Sequence, residues 1–164
     1  MKNKKILFLV NFDSFFISHR LPIAKEAIKK GYEVHLACQF TKSQDYIESL
    51  GIKTHSLEIG ITNNIALELS KILILRDLLI NVSPDILHSI TIKPSIYSGI
   101  LLKTFKNKIK FISAISGLGS MFIGDSLFSH LRKFFFTLAY RLAFNNKVHV
   151  IFQNNDDKIF FIRK

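Results

Sequence analysis

Six short apolar runs punctuate the chain: Lys5–Asn11, Tyr32–Cys38, Ile52–Leu57, Asp85–Ile90, Lys110–Ile115 and Val148–Gln153. Each is bounded by polar, Gly or Pro residues, which predicts a β-strand. Helical patterns fill the gaps. The first runs to Lys30, with Ser14 or Ser18 as its cap, Pro22 near its first turn and Gly31 as its C-terminal cap. Ser43–Leu50 is a short helix closed by Gly51. Asn64–Val82 carries Ile65, Leu69, Ile72, Leu73, Leu79 and Ile80 at roughly helical spacing. Pro94–Phe105 opens on a proline at its first position, where the missing N–H is harmless. Ser126–Asn145 is the longest helical run, and Asp156–Lys164 begins another. Strand and helix alternate throughout, which predicts an α/β fold: a doubly wound, mostly parallel, Rossmann-like sheet in a single domain, residues 1–164.

That order says where to look for chemistry. Ligands of open α/β sheets sit at the carboxyl ends of the strands. The loops there read Asn11-Phe12-Asp13-Ser14, Thr91-Ile92-Lys93-Pro94, Ser116-Gly117-Leu118-Gly119 and Asn154-Asn155-Asp156-Asp157. The first has no glycine, so backbone cannot approach a pyrophosphate closely, and NAD or FAD is not expected. No Cys/His cluster has zinc-ligand spacing, and no Gly-x-Ser-x-Gly elbow announces a serine nucleophile. No metal and no cofactor are expected.

Asp13, His19 and Arg20 fall close together around the first turn. Asp13 is a base or ligand anchor, or else a helix cap; His19 and Arg20 bind an anion, or else form a solvated edge. His88, inside the fourth strand, reads as a satisfied core residue. Lys93 stands between that strand and a helix N-terminus, a good place for an anion. In Ser116-Gly117-Leu118-Gly119 two glycines let backbone approach a ligand or turn sharply. Asn11, Asp13, His19, Lys93, Ser116, Gly117, Gly119 and Asn154 make up the candidate substrate-binding set; no residue is assigned a catalytic role.

Composition adds the partner. Of 164 residues 48% are hydrophobic and 21% charged, enough apolar chain for a folded core. The net charge of +11, from 23 basic and 12 acidic side chains, favours an anionic partner. The cations are scattered and no recognition helix is visible, so nucleic acid is not expected. Within Ser126–Asn145, Leu127, Leu131, Phe134, Phe135, Leu138 and Leu142 form one apolar arc, widened by Phe128, Phe136, Ala139, Tyr140, Ala143 and Phe144. Arg132, Lys133, Arg141 and Lys147 flank it, the pattern of a helix lying on an anionic membrane surface, or else of one sandwiched between the sheet and a neighbouring helix. The first apolar run is too short for a signal peptide, and no uncharged run reaches the ~18 residues of a span. The expected location is cytoplasmic, peripheral on the inner face of the cell membrane. The one cysteine, Cys38, lies in a strand pattern and reads as a buried, inert thiol.

Ser18-His19-Arg20-Leu21-Pro22 and Lys30-Gly31-Tyr32-Glu33-Val34, within Val10–Cys38, resemble the N-terminal domain of family 4 glycosyltransferases of the GT-B fold. Thr91-Ile92-Lys93-Pro94, Ser116-Gly117-Leu118-Gly119 and Phe152-Gln153-Asn154-Asn155-Asp156-Asp157 resemble its bacterial branch, which builds capsule, O-antigen and lipid-linked glycans. The resemblance implies a two-domain enzyme. Its N-terminal domain binds a lipid-linked or polysaccharide acceptor, and its C-terminal domain, not found in these residues, holds the nucleotide-sugar. It implies that His19 and Lys93 meet acceptor or donor phosphate, that Asp13 orients an acceptor hydroxyl, and that this chain alone transfers no sugar. The rival expectation is a non-catalytic, membrane-docking subunit that works with a separate donor-binding chain. Two departures stand out: the first loop lacks the glycines of many relatives, and Ile90 replaces the second histidine of a His-x-His pattern that His88 begins. No catalytic histidine is carried over from that pattern.

Overall fold

The computed structural model describes residues 3–60, 64–105, 109–115, 134, 137–144 and 148–162. They form six strands: β1 (Lys5–Phe12), β2 (Glu33–Gln39), β3 (Lys53–Ser56), β4 (Ile86–Ile90), β5 (Lys110–Ile115) and β6 (Val148–Phe152). The sheet order is β3-β2-β1-β4-β5-β6 and every pairing is parallel. The helices are α1 (Asp13–His19), α2 (Leu21–Lys29), α3 (Gln44–Ser49), α4 (Ile65–Val82), α5 (Ile92–Leu102), α6 (residues 137–143) and α7 (Asn155–Ile162). All six strands thus fall where the apolar runs placed them.

Both faces of the sheet are covered, which is why Ile6–Val10 is buried at every position and does not alternate. Phe8, Val10, Leu36, Cys38 and Ile90 pack beneath α1, α2 and α3 through Phe16, Leu21, Ala24 and Ile47. Leu7, Leu9, Leu87, Phe111 and Ile115 pack beneath α4, α5 and α6 through Leu75, Leu79, Ile96, Tyr97, Leu101, Tyr140 and Ala143. Each Val, Leu, Ile or Phe among them contributes about 1.5–3 kcal/mol by leaving water. Buried hydroxyl pairs, Ser89–Ser98 at 2.7 Å and Ser113–Ser95 at 2.8 Å, tie α5 to β4 and β5 without an unsatisfied group. Gly99 lets α5 meet α6 backbone to backbone: a Cβ there would lie 2.5 Å from the Ala143 carbonyl oxygen.

Local chemistry explains the boundaries. Pro22 has no N–H to continue α1, so the first helix breaks at Arg20 and restarts with Pro22 in the first turn of α2. Gly31 and Gly51 take positive φ, +80° and +81°, after α2 and α3. Neither Ser14 nor Ser18 caps a helix; the Ser18 hydroxyl donates back to the Ser14 and Phe15 carbonyls of its own turn. α5 begins two residues before Pro94 and ends at Leu102.

The outer faces of two helices differ from the periodic reading. In α4 the buried residues are Leu75, Leu79 and Val82, while Leu69, Leu73 and Ile80 face solvent beside Leu67 and Ile74. In α6 Tyr140 and Ala143 are core and Leu138 and Leu142 are exposed, as is Phe134 before it. The remainder of the Ser126–Asn145 reading, with Arg132, Lys133 and Lys147, lies outside the described residues.

Candidate functional site

In an all-parallel sheet every strand ends at one edge. β1, β2, β4, β5 and β6 therefore deliver Asn11–Asp13, the Gln39–Ser43 loop, Thr91–Lys93, Ile115 and Asn154 to the same side. The strand order reverses between β1 and β4. Connections leave that point in opposite directions, the place where open α/β sheets form their ligand crevice.

The β1 side is shaped by a register shift. Leu9 pairs with Ala37 but Phe12 with Gln39, so β1 carries one extra residue just before Asn11. The Asn11 Oδ1 accepts from the Thr91 hydroxyl at 3.2 Å, joining the two strand ends across the reversal. Thr91 pays for that position in backbone strain: φ is 74° and ψ 175°, a region essentially confined to glycine and hard for a β-branched residue. Its N–H donates to Ala114 of β5 at 3.1 Å. Strain of this kind persists where surroundings over-determine it and clusters at ligand sites. Nothing in composition or periodicity signals it.

Asp13 is completely buried. Its Oδ2 accepts from the Thr41, Lys42 and Ser43 backbone N–H groups, at 3.0, 3.2 and 3.0 Å. Its Oδ1 accepts from the Thr41 hydroxyl and from the Ser14 N–H, both at 2.8 Å. Burial alone would raise its pKa, but the bonds from Thr41, Ser43 and Lys42 outweigh that and hold it at about 2. A carboxylate offers about four lone-pair directions, and five donors occupy them. The geometry makes Asp13 the clamp of the β2–α3 loop, in place of a carboxylate free to orient an acceptor hydroxyl.

Lys93 is also engaged. Its Nζ lies 2.7 Å from Glu68 Oε1 and donates to the Gly60 carbonyl at 3.3 Å, tying the start of α5 to that of α4. A phosphate meeting Lys93 would have to share it with Glu68. Asn154 caps α7: its Oδ1 accepts from the Asp157 N–H at 2.7 Å and its Nδ2 donates to the Asp157 carboxylate at 2.9 Å. Ser116, Gly117 and Gly119 lie outside the described residues.

His19 is the exposed member of the set. Its ring stacks on Phe15, centroids 4.3 Å apart at 10°, and its Nδ1 lies 2.6 Å from the Ser18 oxygen. With the Ser18 hydrogen directed at the helix carbonyls, that oxygen is free to accept from Nδ1–H. Arg20 follows and is buried, bonded through Nη1 to the His19 carbonyl at 2.9 Å, with Nε unpartnered. His88 lies edge-on against Phe8, and its Nε2 is also buried without a partner, unlike the satisfied core histidine read from sequence. Burial first, then the nearby Arg20 charge, push its pKa down to about 4. Cys38 is buried at the end of β2, and burial, then Asp13, push its thiol up to about 12, so it is inert.

A cavity of about 430 Å³ lies elsewhere, lined by Ser83, Pro84, Asp85, Phe105 and Ile109 among others. Those residues sit where β4 and β5 begin, the edge opposite the crevice, and carry no chemistry beyond one carboxylate. Among the described residues no group of three or more metal-ligating side chains gathers, and no helix is long and apolar enough to cross a membrane.

The fold and crevice define a doubly wound α/β domain of the kind that forms half of a GT-B enzyme. The chain belongs to the glycosyl transferase 4-like family, which matches residues 5–154. No curated protein matches it. Sucrose-phosphate synthase from Thermosynechococcus elongatus is similar in structure, with a TM-score of 0.68 and 15% identity, over 98% of this chain and 45% of that one. MurG from Acinetobacter baumannii gives 0.55 and 11%, over 90% and 44%. UDP-GlcNAc 2-epimerase from Methanocaldococcus jannaschii gives 0.59 and 12%, over 97% and 42%. The chain thus spans less than half of each of these structures. One is a synthase by name and one an epimerase, so the shared fold does not by itself choose the reaction.

Proposed function

We propose that these residues form the acceptor-binding half of a glycosyltransferase that moves a sugar from a nucleotide-sugar to a lipid-linked or polysaccharide acceptor in cell-surface glycan synthesis. The observation that carries the reading is the β1–β4 reversal, where strained Thr91 is bonded to Asn11; the helix that leaves β1 there carries the exposed His19 ring, held by Phe15 and Ser18. Positioning of an acceptor and stabilisation of developing charge is the chemistry such a rigid edge can supply. His19 meets the acceptor. Asp13 holds the loop that faces it, and Lys93 contributes charge shared with Glu68. The donor is held mainly by a second domain outside these residues.

The acceptor's lipid calls for a membrane, and the outer layer of helices supports one. α4 packs on α5, and α5 on α6 at Gly99. Leu67, Leu69, Leu73, Ile74, Ile80, Ile100, Phe134, Leu138 and Leu142 are all exposed on the helices of that layer, the kind of apolar surface that suits a membrane contact. With the net charge of +11 it suits an anionic, cytoplasmic leaflet.

Backbone NMR of the full chain with a short prenyl-diphosphate sugar tests acceptor binding. Shifts of Phe15–His19 and Thr91 that saturate, and that weaken at least tenfold in His19→Ala, are expected; no saturable shift at millimolar ligand contradicts the reading. Cosedimentation tests the membrane part separately. Leu138→Gln with Leu142→Gln should lower binding to anionic vesicles without lowering Tm, because both side chains are exposed. No binding of the parent chain to any vesicle removes that part alone.

A further inference from the structure

Arg20 is the group in this fold with the least explained burial. It is only 8% exposed, and its guanidinium makes one hydrogen bond among the described residues, the 2.9 Å contact from Nη1 to the His19 carbonyl. Among the described residues no carboxylate pairs with it, and its buried Nε has no partner. The Nε–Nη2 edge of a guanidinium is one of the edges that grip an oxyanion with two parallel hydrogen bonds. An arginine kept for structure alone would be expected to turn that edge to a carboxylate or to carbonyls, because an uncompensated buried cation destabilises the fold.

The surroundings share the deficit. His88, 5% exposed, comes from β4 two residues before its end, and its Nε2 is a second buried polar atom without a partner. Phe8 meets the His88 ring edge-on at 5.4 Å and the Phe16 ring at 5.6 Å, so β1 holds the His88 side. Arg20 is also the N-cap of α2. That helix start has no side-chain cap and no acid in its first turn, so its partial positive charge is unanswered as well.

We propose that Arg20, with His88 and the start of α2, forms an oxyanion site that takes a phosphate group of the substrate on the Nε–Nη2 edge. The imidazole of His88 adds one hydrogen bond, its ring held by Phe8. The site itself rests on geometry; that the phosphate belongs to a sugar-transfer substrate rests on the glycosyltransferase reading. The phosphate belongs to either a prenyl-diphosphate acceptor or a nucleotide donor, since both present the same diphosphate oxygens.

Calorimetric titration of the full chain with inorganic pyrophosphate tests the site. Binding that weakens at least tenfold in Arg20→Gln and several-fold in Arg20→Lys, which keeps the charge and loses the fork, is expected. Without ligand, Arg20→Gln should melt at the parent temperature or above, because it removes an unpaired buried cation; a marked fall would assign Arg20 to the fold and overturn the proposal. If Arg20→Gln does not fold, Arg20→Lys decides: unchanged pyrophosphate affinity there overturns the site, as does a parent chain that binds no pyrophosphate at millimolar concentration. Competition then names the source. Displacement by geranyl diphosphate but not uridine diphosphate assigns the acceptor phosphate, and the reverse assigns the donor. If neither displaces pyrophosphate bound through Arg20, the anion site stands and its glycosyltransferase substrate class falls.

Discussion

The two ends of α1 carry opposite charges in opposite conditions. Asp13 at its start is wholly buried and saturated by five donors; Arg20 just past its end is nearly as buried and bonded to one carbonyl. The two are seven positions apart in the same motif-bearing stretch, and both read from sequence as candidates for ligand contact. The difference teaches that burial alone does not mark a site. A buried charge whose valences are filled by its own chain is architecture; one left short is a place where something else fits.

The sharpest way to break the comparison is to remove the architectural end. Asp13→Ala strips the acceptor from four backbone N–H groups and the Thr41 hydroxyl and should cost about 3–5 kcal/mol, as breaking a buried charged network does. Urea unfolding measures it; a loss below 1 kcal/mol would mean the Thr41–Ser43 loop does not depend on Asp13. Acid tests the same contrast without mutation. The unfolded-state values are 6.5 for histidine and 3.8 for aspartate. His88 is lowered to about 4, so between those values the unfolded chain binds more protons and stability falls as pH falls. The shift corresponds to about 3 kcal/mol lost between pH 6.5 and pH 4. His35 and His55, both lowered mainly by burial, act in the same direction. Asp13 then loses its contribution as pH drops from 3.8 towards 2. A melting temperature that holds level from pH 7 to pH 4 would contradict this.

A smaller effect comes from the tight α5–α6 contact. Gly99→Ala drives a methyl into the Ala143 backbone and should destabilise by about 1–3 kcal/mol, as overpacking does. The smallest sharpens the functional side. Thr91→Gly relieves the strained φ but loses the bond to Asn11, so stability should change by under about 1 kcal/mol while acceptor binding weakens. Thermal melts and ligand titration of the same variant separate the two.

The strands were legible because burial on both faces leaves short, dense apolar runs between Gly, Pro and polar breaks, as in Ile6–Val10. The helix starts were less so. Pro94 suggested a first position, but α5 begins at Ile92 because strained Thr91 serves as its N-cap. The periodicity of α4 misled for a physical reason: Leu69, Leu73 and Ile80 repeat as regularly as the buried Leu75, Leu79 and Val82, and only packing says which stripe is inside. In the candidate site, the sheet edge that Asn11 and Lys93 share was readable. The saturation of Asp13, the Lys93–Glu68 pair and the strain at Thr91 were not, since each depends on residues 20 or more positions away or on a backbone angle. His88 shows the same limit: its place in β4 was evident, its missing partner was not.

The central claim is that substrate binds at the β1–β4 reversal. Mapping backbone amide shifts of the whole chain during titration with a prenyl-diphosphate sugar tests it most directly. Perturbations concentrated at Asn11–Arg20 and Thr91, and reduced in His19→Ala, are the expected result. Saturable perturbations concentrated instead at Ser83, Asp85 and Ile109, around the cavity at the opposite edge, would contradict it.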